Sequence, residues 1–117
     1  KEHRLPQCYL LLGELRHRLG NHDGCAQALT LAAAFAEGYG EMTPDLQIRI
    51  ARIRSRANEA RANVQEAVRD YRFLIDHEKD TAEIMRVLTY LATHTEGEEK
   101  IQLLTRSWDM MQKKQKN

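Results

Sequence analysis

Apolar residues recur at spacings of three and four along most of the chain, which is the period of an amphipathic α-helix. The pattern falls into six segments, and none shows the strict apolar–polar alternation that is typical of a β-strand. We therefore predict an all-α protein of six helices. Consecutive helices form three predicted hairpins, at approximately residues 6–37, 44–77 and 81–112. Their first helices start about 37 residues apart, a near-constant period that is typical of helical repeats.

Residues with special backbone preferences mark the predicted helix ends. Pro6 and Pro44 suit the first helical turn, where a proline removes no hydrogen bond. Gly20 suits the left-handed conformation that ends a helix. Side chains that can cap a helix N-terminus precede the second to the sixth predicted helices: Asn21, Thr43, Asn63, Asp80 and Thr95.

Each predicted helix has an apolar stripe that we expect to be buried. The stripe of the first helix contains Leu5, Cys8, Leu12, Leu15 and Leu19, and that of the last helix contains Ile101, Leu104, Trp108 and Met111. We expect Trp108 to close the core, with an exposed docking edge as the alternative. Cys8 and Cys25 both lie on predicted buried stripes, so we expect two reduced, buried thiols and no disulfide framework, with one disulfide between the two arms of the first hairpin as the alternative.

One segment resembles a known repeat. The residues that carry the resemblance are Tyr9, Leu12, Gly13, Gly20, Cys25, Leu29 and Ala32. Their types and spacing resemble one tetratricopeptide repeat (TPR), whose pattern runs W-x2-L-G-x2-Y, then A-x3-F, then P. Arg16 and Glu37 replace the Tyr and the closing Pro of that pattern. The resemblance implies one domain over residues 1–117, a right-handed α–α superhelix of about three antiparallel helix pairs. A plain helical bundle or another repeat type is the alternative.

A TPR-like fold would place one side of each first helix on a concave, partner-binding surface. The implied positions are Gln7, Leu10, Glu14, His17 and Arg18, then Ile48, Ala51, Ser55 and Asn58, then Met85, Thr89 and Ala92. The TPR proteins that hold chaperone C-termini clamp a carboxylate with Lys and Asn, where this chain has Leu10 and Glu14. Because Glu14 would repel a carboxylate, we instead expect a peptide or helix with hydrophobic anchors.

The predicted third helix is rich in arginine. Its cations are Arg49, Arg52, Arg54, Arg56 and Arg61, and Glu59 is the one acid among them. Arginines bind carboxylates and phosphates bidentately, so Arg49, Arg52 and Arg56 are candidate contacts for an acidic partner or a nucleic-acid backbone. The alternative is a solvated face whose arginines pair with acids elsewhere, such as Glu66, Asp70 and Asp76.

The remaining residue patterns favour neither catalysis nor a cofactor. No set of nucleophile, base and orienting group is evident, and no Gly-rich phosphate loop is present. His17, His22 and Cys25 together lack the fourth ligand of a zinc site. We therefore predict no enzymatic activity, cofactor, metal or small-molecule substrate.

Composition fits an intracellular protein-binding domain. Net charge is +1 and apolar content is 42%, so neither a nucleic acid nor a membrane is required as a partner. No secretory signal is visible, which predicts a cytoplasmic or nuclear location. The missing initiator Met favours a fragment of a longer protein. The predicted function is a scaffold or adaptor that binds another protein; nucleic-acid binding or a structural part of a longer solenoid are alternatives.

Overall fold

A computed structural model describes residues 3–116, and it confirms the prediction of an all-α chain of six helices. In chain order the helices are α1 (Leu5–Arg18), α2 (His22–Gly38), α3 (Pro44–Ala60), α4 (Val64–His77), α5 (Thr81–Thr93) and α6 (Gly97–Lys116). The described residues contain no strand. The chain divides into two compact units, one up to Asp70 and one from Tyr71, so the division falls within α4.

The predicted local signals set the ends of the first three helices. Gly20 follows α1 with φ of 76°, the left-handed conformation that glycine adopts without strain. The Asn21 side chain accepts a hydrogen bond from the backbone N–H of Gly24 at 2.9 Å. The Thr43 hydroxyl accepts one from the N–H of Leu46 at 3.1 Å. Both predicted N-caps are therefore confirmed.

The capping prediction holds for α5 and is wrong for α6. Asp80 caps α5, since its carboxylate accepts a hydrogen bond from the N–H of Ala82 at 3.0 Å. Thr95 does not cap α6. Its buried hydroxyl donates to the carbonyl oxygen of Leu91 at 2.9 Å, and the helix begins only at Gly97, where φ is 70°. The Thr95 hydroxyl thus supplies a hydrogen bond to a carbonyl group at the C-terminal end of α5.

The core of the first unit lies where α2 packs on α1 and α3. Seven fully or nearly fully buried residues form it: Leu10, Cys25, Ala26, Leu29, Ala32, Ile50 and Ala57. The contact between α1 and α2 is especially close at Gly13. A Cβ atom placed there would lie only 2.6 Å from Cδ2 of Leu29, so glycine is what permits this approach.

The predicted buried stripe of α1 is wrong. Leu5, Leu15 and Leu19 are 42%, 52% and 73% exposed, Cys8 is exposed, and Leu12 is half-buried. The buried residues of α1 are instead Pro6, Leu10 and Gly13. The side of the helix that carries Gly13 turns towards α2, and the leucine-rich side therefore turns away from it.

The second unit has its own core, built by the C-terminal part of α4 with α5 and α6. Its buried apolar residues are Tyr71, Leu74, Val87, Leu88, Leu91, Ala92 and Leu103. The Tyr71 hydroxyl accepts a hydrogen bond from Arg86 at 2.9 Å, and the Arg86 guanidinium lies 5.2 Å from the centre of the Tyr71 ring. This arrangement satisfies the phenol while its ring is buried.

The expectation that Trp108 closes the core is wrong. Ile101, Leu104, Trp108 and Met111 are 59%, 50%, 57% and 42% exposed. Leu103 supplies the buried contact of α6 instead. Each helix of the described part of the chain falls short of the length and apolarity that crossing a membrane requires.

Candidate functional site

Part of the predicted concave surface is buried. Leu10 is 1% and Ser55 0% exposed, so placing them on an open groove was wrong. Ala51 and Asn58, each 3% exposed, are excluded for the same reason. The Ser55 hydroxyl donates to the carbonyl oxygen of Arg52, which satisfies it inside the unit.

The other predicted positions differ in their accessibility. Gln7 and Arg18 are exposed, and His17 and Ile48 are half-buried. In the second unit Met85 is half-buried and Thr89 is exposed, and the Thr89 hydroxyl donates to the carbonyl oxygen of Met85.

Glu14 and Arg49, both predicted as partner contacts, bind each other. The Arg49 guanidinium donates to both carboxylate oxygens of Glu14, at 2.7 Å and 3.0 Å, and so links α3 to α1. Such a bidentate pair has a fixed geometry. Glu14 therefore stabilises the packing of the two helices.

Other arginines of α3 are also held by polar side chains. Arg54 donates to both oxygens of the nearly buried Asp70, at 2.8 Å each, as the sequence alternative had suggested for Asp70. Arg61 donates to Asp23 at 2.6 Å and to the side-chain oxygen of Asn58 at 2.9 Å. Arg49 and Arg54 of α3, and Arg61 directly after it, thus hold elements of the first unit together, so α3 is not a uniform cationic stripe. Arg52 is half-buried and Arg56 is exposed.

The outer side of α1 carries an exposed apolar surface. We call it the leucine face, and it consists of Leu5, Cys8, Leu11, Leu15 and Leu19. Its four leucines are 42–73% exposed, and Leu12 lies half-buried beside them. The spacings of three and four residues place these side chains along one side of the helix, so they form a continuous ridge.

Cations flank the leucine face. Arg4 precedes it, and Arg16 and Arg18 fall on opposite sides of it at about 100° per residue. Arg16 is half-buried and donates to the carbonyl oxygen of Gly24 at 3.0 Å, whereas Arg4 and Arg18 are exposed. Between Arg4 and Arg18 the one acidic residue is Glu14, which Arg49 holds. The rim that residues 4–18 form around the leucine face is therefore basic.

A cleft of about 520 Å³ adjoins the leucine face where α1 meets the start of α3. Its walls are His3, Arg4, Pro6, Gln7, Cys8, Leu11, Glu41 and Leu46. Cys8 and Leu11 belong to both the cleft and the leucine face, so the two surfaces are continuous. The His3 side chain in this wall has its Nδ1 2.9 Å from Oε2 of Glu41 and its ring stacked on Tyr39.

The Cys25 thiol is buried, and the imidazoles of His17 and His22 are half-buried. Burial raises the pKa of Cys25 to about 11, so the thiolate is disfavoured. Burial, then His22 and Arg56, lower the pKa of His17. The Nδ1 atoms of His17 and His22 have no hydrogen-bond partner. The described residues include no group of three or more His, Cys, Asp or Glu side chains that could hold a metal.

Sequence reasoning misplaced this surface because it assigned the leucine stripe of α1 to the core. The glycine of the repeat motif was the signal that could have corrected it. A glycine that permits close helix packing must face the neighbouring helix, and Leu15 lies about 200° around the helix from Gly13. No protein-family model matches this chain, and no curated protein or solved structure matches it either.

Proposed function

We propose that this chain is a non-enzymatic protein-interaction module that binds an amphipathic helix of a partner protein on its leucine face. The observation that carries the proposal is the exposure of four leucines, at 42–73%, along one side of α1. Folded proteins rarely leave such a continuous apolar surface in water unless it contacts another protein or a membrane. A ridge of side chains at spacings of three and four fits the groove of another helix.

A TPR-like architecture is part of the proposal. Gly13 packs on Leu29 at the contact between α1 and α2, and Gly20 forms the turn, which are the roles that the motif assigns to them. In a helical repeat the outer side of a first helix stacks on the preceding hairpin, and only terminal repeats present a polar outer side. An apolar outer side on α1 therefore suits a further helix.

The expected energy of this contact is moderate. Full burial of a leucine contributes about 1.5–3 kcal/mol, so a half-exposed leucine gains about 1 kcal/mol when a partner covers it. Loss of one such contact would weaken binding about fivefold, and a buried glutamate at the same place would weaken it much further. The scaffold or adaptor role thus depends on several leucines together.

Binding of nucleic acid is the weaker alternative. Phosphate contacts need accessible cations, and Arg49, Arg54 and Arg61 are already bound to carboxylates. No aromatic residue interleaves with these arginines in the sequence, as it would in a single-strand binder.

Cys8 gives a direct test because it is an exposed thiol on the leucine face itself. A photo-crosslinker attached to Cys8 identifies the segment of a partner that reaches this surface. A synthetic peptide of that segment is then titrated against the wild-type chain and against the double variant Leu11→Glu, Leu15→Glu. We expect a helical peptide whose affinity falls at least about tenfold in the variant.

The matched control is Leu104→Glu, because Leu104 on α6 is 50% exposed, as Leu15 on α1 is 52% exposed. This control should retain wild-type affinity. Unchanged affinity of the Leu11→Glu, Leu15→Glu variant would refute the proposal. A crosslink to another part of the same protein would indicate a structural segment of a solenoid instead.

A further inference from the structure

We infer that the leucine face selects a partner helix whose apolar stripe is flanked by acidic residues. The inference rests on the proposed function and adds the charge of the partner. It follows from the distribution of charge around the ridge, where Arg4, Arg16 and Arg18 surround the leucines and the acid Glu14 is bound to Arg49.

Helix pairs place the residues that flank one apolar stripe next to those that flank the other, and opposite charges there decide which partners pair. A partner with Glu or Asp beside its stripe would meet Arg4 and Arg18, whose guanidinium groups are exposed. A partner with Lys or Arg in those places would bring like charges together. The leucines attract an acidic and a basic partner helix alike, and the arginines of the rim favour the acidic one.

The same charges argue against a second copy of α1 as the occupant. Two copies of the leucine face would bring their arginines together, with no unpaired acid between Arg4 and Arg18 to neutralise them. A partner of opposite charge removes this repulsion. Nucleic acid would neutralise the arginines but would offer no apolar stripe to cover the four leucines.

The cleft next to the leucine face gives the interaction a fixed register. Arg4, Cys8 and Leu11 line it together with Glu41, whose carboxylate is bound to His3, so a large apolar side chain entering the cleft lies beside the Arg4 cation. Its volume of about 520 Å³ is large enough for an aromatic side chain. Interfaces concentrate their binding energy where an aromatic anchor fills such a pocket. The preferred partner helix therefore has an aromatic or large aliphatic anchor with an acidic residue close by.

The test uses two designed peptides of three heptads that share one leucine stripe and one aromatic anchor. They differ only at the flanking positions, which are all Glu in one peptide and all Lys in the other. Fluorescence anisotropy measures the affinity of the chain for each peptide at low salt and at about 0.15 M salt. We expect the Glu peptide to bind at least about tenfold more tightly than the Lys peptide, with a difference that shrinks as salt screens the charges.

Variants distinguish the preference for an acidic partner from binding to the leucine face itself. The double variant Arg4→Glu, Arg18→Glu should lose or invert the preference for the Glu peptide, whereas Lys113→Glu, an exposed charge reversal on α6, should keep it. Arg16 is left unchanged because it bonds to the backbone of α2. If far-UV circular dichroism shows that charge reversal disturbs folding, Arg4→Gln, Arg18→Gln should still reduce the preference.

Each possible outcome bears on the charge preference, on the proposed binding to the leucine face, or on both. Equal affinity for both peptides, or tighter binding of the Lys peptide, overturns the charge inference and leaves the proposed function standing if Leu11→Glu, Leu15→Glu abolishes binding. Binding that survives this leucine variant, or no binding of either peptide to the wild-type chain, overturns both. A dimer of the unliganded chain in sedimentation, abolished by the leucine variant, would make a second copy the occupant and overturn the acidic partner.

Discussion

Gly13→Ala should destabilise the chain, although alanine is the better helix former. The new methyl group would lie 2.6 Å from Cδ2 and 2.7 Å from Cγ of Leu29, well inside van der Waals contact. Leu29 is 0% exposed and packs in the core with Leu10 and Cys25. It cannot move away without displacing its neighbours, because protein cores are closely packed.

The magnitude follows from two opposing effects. Replacing a helix-interior glycine with alanine gains about 1 kcal/mol of helix propensity. Forcing an additional methyl group into a filled core costs about 1–3 kcal/mol. The overlap involves the branch point of the leucine as well as its tip, which places the cost above the lower limit, at about 2 kcal/mol. We expect a net loss of about 1 kcal/mol in the free energy of unfolding, which lowers Tm by about 4–8 °C in a unit of this size.

Urea unfolding followed by far-UV circular dichroism measures this loss. Gly38→Ala is the matched control, because Gly38 is also helical and has no heavy atom within 4 Å of the added Cβ. It should be neutral or slightly stabilising. In a Leu29→Ala background, Gly13→Ala should become less harmful, with a coupling of about 1 kcal/mol, since the methyl group then enters vacated space. A Gly13→Ala chain as stable as the wild type would show that α1 and α2 do not approach this closely.

Three further predictions concern buried polar and ionisable groups. Asp70→Ala leaves Arg54 without its bidentate partner and should lower the free energy of unfolding by about 3 kcal/mol in urea titrations, whereas Arg54→Met with Asp70→Leu should be nearly neutral. Ellman's reagent should label Cys8 rapidly and Cys25 only after unfolding. Because burial raises the pKa of Cys25 to about 11, the neutral buried thiol stabilises the fold fully at pH values below the pKa of the unfolded thiol, and this stabilisation is lost as the pH rises towards 11. Since burial lowers the pKa of His17 below 6.5, protonation favours the unfolded chain, and wild-type stability should fall as pH drops below about 6.5 more steeply than that of His17→Gln. Labelling of Cys25 in the folded chain would contradict its burial. Identical pH profiles of stability for the wild-type chain and His17→Gln would contradict the lowered pKa of His17.

The sequence by itself determined the number of helices and most of their ends. Periodicity, capping side chains and glycine conformation are local properties, and the predicted starts at Pro44 and Thr81 agree with the structure. The Thr95 prediction was wrong, because its hydroxyl could bond either to the start of α6 or to the end of α5, and it donates to the Leu91 carbonyl at the end of α5. Pairing of Arg54 with Asp70 was foreseeable as an option, but only the packing of α3 near α4 selected it.

The tertiary structure alone decided which apolar side of a helix is buried. The sequence of α1 has leucines at 5, 10, 11, 12 and 15, with Leu19 directly after it, so apolar residues surround much of the helix and periodicity defines no single inner side. The contact of Gly13 with Leu29 sets the rotation of α1, buries Leu10 and leaves the leucine face in water. The candidate site is therefore a product of packing, because a surface becomes available only after the core has selected the opposite side of the same helix.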